Sequence, residues 1–331
     1  MTYKSGRPHM DPRLMERIRR KKAQLDSYRP LPDDTVRRLN EDLRVFLTYH
    51  SNAIEGNSLT LQETQMVIDY GITIHGHPMR EYLEAINHAE AYLYVTRLVE
   101  QRERITRDTI LKLHGLVMDK ILESKGHFRT VPVYIRGSNM TPPPAHQVEG
   151  LMREWLVWIY GEGREYDSVP RAAIAHHGFE AVHGFEDGNG RVGRLLLNLM
   201  LMQEGYPPAL LLNDWRTRYI HALVTANTGS YGPLLNLIGQ SVEGGLDVYL
   251  EACAAVPSYQ LLRALVKDSG YPLEYLSWLA RQGRIEAVKQ GGRWYSTPQA
   301  IEQYKVEAEK GKHKRGRPSS QSKSDPTDDN A

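Results

Sequence analysis

The chain has 331 residues, of which 40% are hydrophobic, and this is ordinary for a protein that buries a sizeable core. A formal net charge of +2 excludes nucleic-acid binding over the whole surface, and the single cysteine, Cys253, excludes internal disulfides and thiolate zinc clusters. The longest apolar runs fall short of the roughly 20 residues that span a bilayer. Residues 1–20 lack the apolar segment of a secretory signal, so we expect a cytoplasmic protein.

Helical periodicity runs through most of the chain. Residues 32–47 predict a helix, because Pro32 suits a first turn and apolar residues recur at helical spacing, and a second short helical stretch stops near Gly56. Thr60 and Glu63 form a capping-box pattern that opens the next helix. Further helices are expected over residues 79–98, 106–122, 147–160, 169–182 and 192–203. The body of the protein is therefore predicted to be mainly α.

Residues 128–139 depart from this pattern, because apolar side chains alternate with other residues from Val131 to Ile135. Such alternation predicts a short strand pair, and the three prolines at 142–144 close it in extended conformation. We therefore expect a small β-hairpin flap in an otherwise helical body.

The most informative segment runs from His183 to Arg194, between two helical patterns. Glycines on both sides of Asn189 allow a sharp turn that brings backbone N–H groups near an anion, and the next helix adds the positive end of its dipole. Arg191 and Arg194 lie three residues apart, so both guanidinium groups project from one helix face toward adjacent phosphates. Each feature alone fits an ordinary turn or a solvated helix face. Together they indicate a bound polyphosphate.

Three further side chains in this segment suit phosphate chemistry. Asp187 offers a hard oxygen for Mg²⁺, which keeps most of its waters and bridges to phosphates through one or two carboxylates. His183 can accept a proton near neutral pH. Phe185 is expected to pack inward and anchor the loop.

The segment resembles the signature of Fic domains, H-P-F-x-D/E-G-N-G-R-x-x-R, at every functional position, with Gly184 in place of the usual proline. The resemblance extends over most of residues 32–237. It implies a protein adenylyltransferase, in which His183 deprotonates a Ser, Thr or Tyr hydroxyl of a target protein and that oxygen attacks the α-phosphorus of ATP. It also implies that Asp187 holds Mg²⁺. The residues that it assigns to nucleotide binding are Phe185, Gly188, Asn189, Gly190, Arg191 and Arg194.

The same resemblance extends to details of the reaction. Gly190 favours AMP transfer over phosphate transfer, since relatives resembling Doc, a kinase-like toxin, usually carry lysine there. Tyr219 and Asn227 fall on a downstream helix that often lines the adenine pocket in the family. Residues 128–139 resemble the hairpin with which Fic enzymes align a target segment through backbone pairing, and a purely structural hairpin is the alternative.

An inhibitory signature of the family, S/T-x-x-x-E-G/N, is matched by Ser51-Asn52-Ala53-Ile54-Glu55-Gly56. Ser51 and Glu55 lie at i and i+4 on one helix face, and the resemblance implies an ion pair from Glu55 to Arg194. This pair removes Arg194 from the γ-phosphate. The resemblance also implies a second activity, in which Glu55 orients a water that removes AMP from a modified protein. Without the resemblance, Glu55 is an ordinary charge at a helix end.

The C-terminal part has a different composition. Residues 255–308 combine two short helical patterns with a glycine turn and Trp294, and they resemble the winged helix-turn-helix of excisionase and MerR-type proteins. That resemblance implies DNA binding, with a protein-docking or dimerising module as the alternative. Residues 309–331 have little to bury, so we expect a disordered basic tail, within which residues 312–318 resemble an AT-hook core.

Two functions remain open at this point. We expect a helical region over residues 1–100 that carries the inhibitory motif, and a catalytic core over residues 101–250. The favoured function is an autoinhibited protein adenylyltransferase that uses ATP and Mg²⁺ and modifies target proteins and itself. The alternative is a DNA-binding regulator whose Fic unit is degenerate or only senses nucleotide. The expected partners are target proteins at the flap, DNA through residues 255–331, and a second copy in a homodimer, with no membrane.

Overall fold

The computed structural model describes residues 8–134, 141–255, 259–290 and 292–315. The chain forms two compact units, which divide between Cys253 and Ala254. None of the helices in the described ranges has the length and apolarity needed to span a bilayer.

The first unit is built of helices, which confirms the prediction of a mainly α body. Their bounds are α1 (Pro12–Ser27), α2 (Asp33–Glu55), α3 (Leu61–Tyr70), α4 (Met79–Glu100), α5 (Arg107–Val117), α6 (Val148–Tyr160), α7 (Ser168–Val182), α8 (Asn189–Gln203), α9 (Arg216–Ala226) and α10 (Gly232–Ala255). The capping box at the start of α3 is present, since Thr60 Oγ1 accepts from the Glu63 N–H and the Glu63 carboxylate accepts from the Thr60 N–H. Gly56 and Gly71 end α2 and α3 at positive φ, where a side chain would be strained.

The helix bounds differ from the sequence prediction in several places, among them α2, α1 and α5. α2 is one continuous helix and includes the short stretch that was expected to be separate. α1 was not predicted, because its three buried residues, Leu14, Ile18 and Leu25, are spread among arginines and lysines. α5 ends at Val117 rather than near Leu122, and Lys120 there adopts the left-handed conformation that breaks a helix.

Helix α8 lies at the centre of the first unit and packs against α2, α4, α5 and α7. Its residues are buried on every side, from Asn189 through Leu201, so it is a core helix rather than an amphipathic surface helix. α7 is equally buried and precedes α8 directly in the chain. The segment that joins the two helices, residues 183–188, is therefore held between two fixed ends, and we call it the signature loop.

The predicted flap is described only in part. Residues 128–134 are in the described range and contain no strand, whereas residues 135–139 of the predicted flap lie outside the described residues. The β-hairpin at this position therefore stays a prediction.

The second unit is small and mixed. Its elements are β1 (Gln260–Leu261), α11 (Leu262–Ser269), α12 (Leu273–Arg281), β2 (Ala287–Gln290), β3 (Arg293–Ser296) and α13 (Pro298–Arg315). The strands form an antiparallel sheet in the order β1-β3-β2, with Ala287 opposite Ser296. α13 continues to Arg315, past residue 309, where the disordered tail was expected to begin. Residues 316–331 lie outside the described residues, and the winged helix-turn-helix and its DNA binding stay predictions.

Candidate active site

The signature loop begins with a strained residue. His183 follows the last residue of α7 with φ 48° and ψ 57°, a left-handed conformation that is unfavourable for a side chain with a Cβ. Such strain costs about 1–3 kcal/mol and persists only where the surroundings hold it. Gly188, at φ 80° before α8, takes a similar conformation without that strain. A glycine would fit the backbone at position 183 without strain. A histidine there therefore indicates that its imidazole is needed for chemistry.

Arg129 holds the strained end of α7. Its Nε donates to the His183 carbonyl at 2.7 Å, its backbone N–H donates to the Gly184 carbonyl at 2.9 Å, and its Nη2 donates to the Pro143 carbonyl at 2.6 Å. The side chain is buried, and its positive charge lies at the negative end of the α7 dipole. Sequence reasoning missed this residue, because an arginine in an alternating segment is usually solvated.

We expect Arg129→Met to lower the free energy of unfolding by about 2–4 kcal/mol, because it leaves buried carbonyls without donors. The measurement is urea denaturation followed by circular dichroism. Arg153→Met is the matched control, since Arg153 is exposed on α6, and we expect it to change the free energy by less than about 0.5 kcal/mol. Equal effects of the two substitutions would show that Arg129 does not anchor the loop.

Two residues of the signature segment shape it from within. The Asn189 side chain binds both backbone groups of Phe185, accepting from the N–H at 2.9 Å and donating to the carbonyl at 2.8 Å. Phe185 is fully buried, as expected for an anchor, and its ring stacks on His114 with centroids 3.7 Å apart. The ring has no free surface in this structure, and the assignment of Phe185 to nucleotide binding stays a prediction. Asn189 is buried as well, and its side-chain oxygen and nitrogen are both bound to the Phe185 backbone.

His114 ties the loop to α5 with a defined tautomer. The Gly126 N–H donates to His114 Nδ1 at 2.9 Å, so Nδ1 carries no proton, and Nε2–H donates to the Asp187 carbonyl at 3.1 Å. Burial lowers the pKa of His114 to about 4, which keeps the ring neutral at physiological pH. The sequence carried no signal for this role, since His114 belongs to no motif.

Asp187 and Arg191 belong to a closed network of four charges. Asp187 Oδ1 accepts from the Gly188 N–H at 2.5 Å and from Arg191 Nη2 at 3.1 Å, while Oδ2 binds Arg80 of α4. Arg191 Nη1 lies 2.9 Å from Glu84 Oε1, and Arg80 Nε donates to the same oxygen at 3.0 Å. Burial raises the pKa of the Asp187 carboxyl, but the two arginines outweigh this and hold that pKa below its usual range.

This network changes what was predicted for Arg191. The side chain is 2% exposed and both of its charged partners are protein carboxylates, so the phosphate contact implied for Arg191 is not available in this conformation. Glu84 and Arg80 were not found from the sequence. The only signal was their i, i+4 spacing on α4, which is also typical of a solvated helix face.

Arg194 is held by the predicted inhibitory motif. Its Nη2 donates to Glu55 Oε1 at 2.7 Å and to the Ser51 carbonyl at 2.8 Å, and its Nε donates to Ser51 Oγ at 3.0 Å. Arg194 is buried, whereas the Glu55 side chain is 39% exposed. The ion pair that the resemblance implied is thus present, and we call these three bonds the inhibitory contact.

The structure explains why residue 190 is a glycine, which the sequence did not show. A Cβ at this position would lie 2.2 Å from Glu55 Oε1 and 2.9 Å from Arg194 Nη1. Only glycine leaves room for the Glu55 carboxylate at the start of α8. An anionic group therefore already occupies the N-terminus of α8, where the sequence predicted a phosphate.

A second buried carboxyl lies beside α8. Glu180 Oε1 is buried and makes no hydrogen bond among the described residues, and burial raises the pKa of this carboxyl to about 8. At pH 7 the group is mostly protonated, so it does not compete with Glu55 for Arg194. A Cβ at Gly193 would lie 2.1 Å from Glu180 Oε1, which accounts for the second glycine of α8.

The predicted adenine residues sit differently from what was expected. Tyr219 is buried and its hydroxyl bonds to His176 Nε2 at 2.7 Å, so it supports α7 and has no free face for a base. Its assignment to the adenine pocket stays a prediction, although the ring is buried in this structure. Asn227 accepts from His177 Nε2 at 2.8 Å but is itself exposed, so it stays a candidate.

The helical fold and the junction between α7 and α8 can now be compared with those of known proteins. The model of the Fic/DOC family matches residues 104–201, which include the signature loop and most of α8. A solved structure of residues 134–508 of Fic-1 from C. elegans aligns with a TM-score of 0.66 and 30% identity over 73% of each chain. The chain belongs to the Fic/DOC family.

Two curated relatives carry names that state an activity. Protein adenylyltransferase Fic of Drosophila virilis is 32% identical over 246 residues, covering 74% of this chain and 50% of the relative. Protein adenylyltransferase fic-1 of Caenorhabditis elegans is 34% identical over 233 residues, covering 69% of this chain and 45% of the relative. The chain thus spans about half the length of the curated relatives it matches.

Proposed function

We propose that this chain transfers AMP from ATP to a hydroxyl side chain of a protein, and that Glu55 restrains the reaction. The observation that carries the proposal is the Glu55 carboxylate at the N-terminus of α8, bound to Arg194 in space that Gly190 leaves open. A site that binds a carboxylate with an arginine and a helix N-terminus also suits a phosphate. The names of the relatives at 32% and 34% identity support the same reaction.

The reaction needs a base and a way to neutralise charge. His183 accepts the proton of the target hydroxyl, and the oxygen forms a bond to the α-phosphorus while the bond to the leaving pyrophosphate breaks. Burial lowers the pKa of His183, although a hydrogen bond to the Glu180 carbonyl raises it. The pKa stays below its ordinary value, so the imidazole is in its basic form at pH 7. The first N–H groups of α8 and the freed Arg194 offset the charge on the phosphates.

Asp187 is the residue that would hold Mg²⁺. No group of three or more metal-ligating side chains occurs in the described ranges, which suits an ion that binds through one carboxylate, waters and substrate phosphates. Asp187 Oδ2 already binds a cation, the Arg80 guanidinium, so this oxygen lies in a place that accepts positive charge. When bound, Mg²⁺ would supply charge neutralisation at the phosphates.

Inhibition follows from the same geometry. While Glu55 and Ser51 occupy Arg194, that arginine cannot bind a γ-phosphate, and ATP that enters lacks one of its positioning contacts. Glu55 is also the group that we propose to orient a water for AMP removal from a modified protein. For the place of action we propose the cytoplasm, since the lone Cys253 gives no disulfide that would need an oxidising compartment.

A labelling experiment tests the proposed reaction. The full chain with Glu55→Gly is incubated with a protein lysate and with ATP labelled either on the α- or on the γ-phosphate, and modified proteins are located by mass spectrometry. We expect α-label and AMP adducts on protein, on the chain itself included, and no γ-label above that of the lysate without the chain. Transfer of γ-label above that level would indicate a kinase, and absence of any label above it would remove the enzymatic proposal.

A further inference from the structure

Arg80 is the member of the charge network that the proposed function does not use. It lies in the first turn of α4, and its guanidinium joins Glu84 of the same helix to Asp187 of the signature loop. α4 is distant in sequence from the signature loop, so this contact is a product of the tertiary fold. In this contact the Arg80 guanidinium, a cation, is bound to the Asp187 carboxylate, which is proposed to hold Mg²⁺.

The two oxygens of Asp187 have different surroundings. Oδ1 is committed to the protein, since it accepts from the Gly188 N–H at 2.5 Å and from Arg191 at 3.1 Å. Oδ2 binds Arg80 alone among the partners found in the described residues. A divalent ion that enters this site would therefore bind Oδ2, and there it meets the guanidinium of Arg80.

The two arginines that bind Asp187 differ in exposure, and this difference determines which of them can leave the carboxylate. The Arg80 side chain is 53% exposed, whereas Arg191 is 2% exposed and fixed between two carboxylates. An exposed guanidinium can leave its partner for water at little cost, because water replaces the lost hydrogen bonds and screens the charges. A buried guanidinium that loses its partner is left uncompensated, which is far more costly. Arg80 is thus the displaceable partner.

Glu84 gives Arg80 a place to remain after displacement. The Arg80 Nε bond to Glu84 Oε1 at 3.0 Å lies within α4 and does not depend on Asp187. Glu84 Oε2 also accepts from Asn57 Nδ2 at 3.0 Å, just past the inhibitory end of α2. The exchange at Asp187 therefore needs a side-chain movement of Arg80 and no change in the helices.

We propose that Arg80 is an internal cation that occupies the divalent-metal position of Asp187, so that metal binds only by displacing it. This inference rests on the proposed function for its biological meaning, since it sets how much metal the site needs. It adds a second restraint beside the inhibitory contact, with Arg80 acting on Asp187 as Glu55 acts on Arg194. Removal of Arg80 tightens metal binding, whereas removal of a structural or phosphate-binding arginine does not.

Direct metal binding tests this exchange without any nucleotide. Mn²⁺ is titrated into the nucleotide-free full chain, and unbound Mn²⁺ is read from its electron paramagnetic resonance signal. We expect Arg80→Ala to bind Mn²⁺ about three- to tenfold more tightly than the unchanged chain. Arg80→Lys keeps a positive charge and is expected to lie between the two. Asp187→Asn, added to Arg80→Ala, is expected to abolish the gain.

Three outcomes overturn the proposal. These are equal Mn²⁺ binding by the unchanged chain and Arg80→Ala, including none by either, weaker binding by Arg80→Ala, and a gain that survives Asp187→Asn. The matched control is Arg44→Ala, which removes another arginine that pairs with an aspartate, Asp69, and it is expected to leave Mn²⁺ binding unchanged. Because no AMP transfer enters the readout, failure of the proposed reaction leaves this test intact.

Discussion

Replacing His183 by alanine is expected to lower the rate of AMP transfer by about 10²- to 10⁴-fold, the usual contribution of a general base. The histidine is held in a strained conformation at the end of α7, where Arg129 binds its carbonyl. Alanine keeps the backbone and removes only the proton acceptor, so ATP binding should change little. The measurement is transfer of α-label from ATP, made with Glu55→Gly in both chains so that the rate is high enough to read.

The pH profile provides a second check on His183. Burial lowers the pKa of the imidazole below its ordinary value of 6.5, so the base stays unprotonated as pH falls to that value. We expect transfer to persist at pH 6.5 and to decline only at lower pH. The control is His9→Ala, an exposed histidine before α1, which should leave both rate and profile unchanged. A rate unaffected by His183→Ala would exclude this residue as the base.

Replacing Glu55 by glycine is expected to raise AMP transfer by about 10- to 100-fold. The charged hydrogen bond from Arg194 to Glu55 is partly buried, and bonds of this kind contribute about 1.5–3 kcal/mol. If its loss frees Arg194 for phosphate, this free energy corresponds to roughly 10- to 150-fold in rate. Ser51 still binds Arg194 in the variant, which sets an upper limit on the gain.

Two variants separate release of Arg194 from loss of helix stability. Glu55→Gln keeps an acceptor but removes the charge, so we expect a smaller gain than with glycine. Glu41→Gly places the same residue elsewhere on α2, at an exposed position, and should not activate. If Glu55→Gly left the transfer rate unchanged, the inhibitory contact would have no control over the reaction. A parallel assay of AMP release from modified protein shows whether the same substitution removes a hydrolytic activity.

The contacts restraining the site come from two N-terminal helices. α2 supplies Glu55 and Ser51, which hold Arg194, and α4 supplies Arg80 and Glu84, which hold Asp187 and Arg191. Asn57 joins the two sets, because its side chain binds Glu84 directly after the end of α2. We therefore expect relief of the proposed inhibition to depend on how α2 and α4 pack against α8.

The sequence predicted those features that depend on residues near one another in the chain. Helical periodicity, the Thr60 capping box and the glycines of the signature segment act through local backbone geometry. The resemblance to Fic proteins rested on the same short spacing, and it extended to one distant contact, Glu55 with Arg194, which is present. α1 was not predicted, because its few buried residues are separated by charged ones.

The charges that surround the site were decided only by the tertiary structure. Arg80, Glu84, His114 and Arg129 lie far from the signature loop in sequence and look like ordinary surface or loop residues, until packing of α4, α5 and the 128–134 segment brings them to it. Tyr219 shows the reverse, since a residue expected in the pocket is buried beneath α7. The reason is physical: local patterns report backbone preference, whereas the partner of a buried charge depends on which distant helix packs beside it.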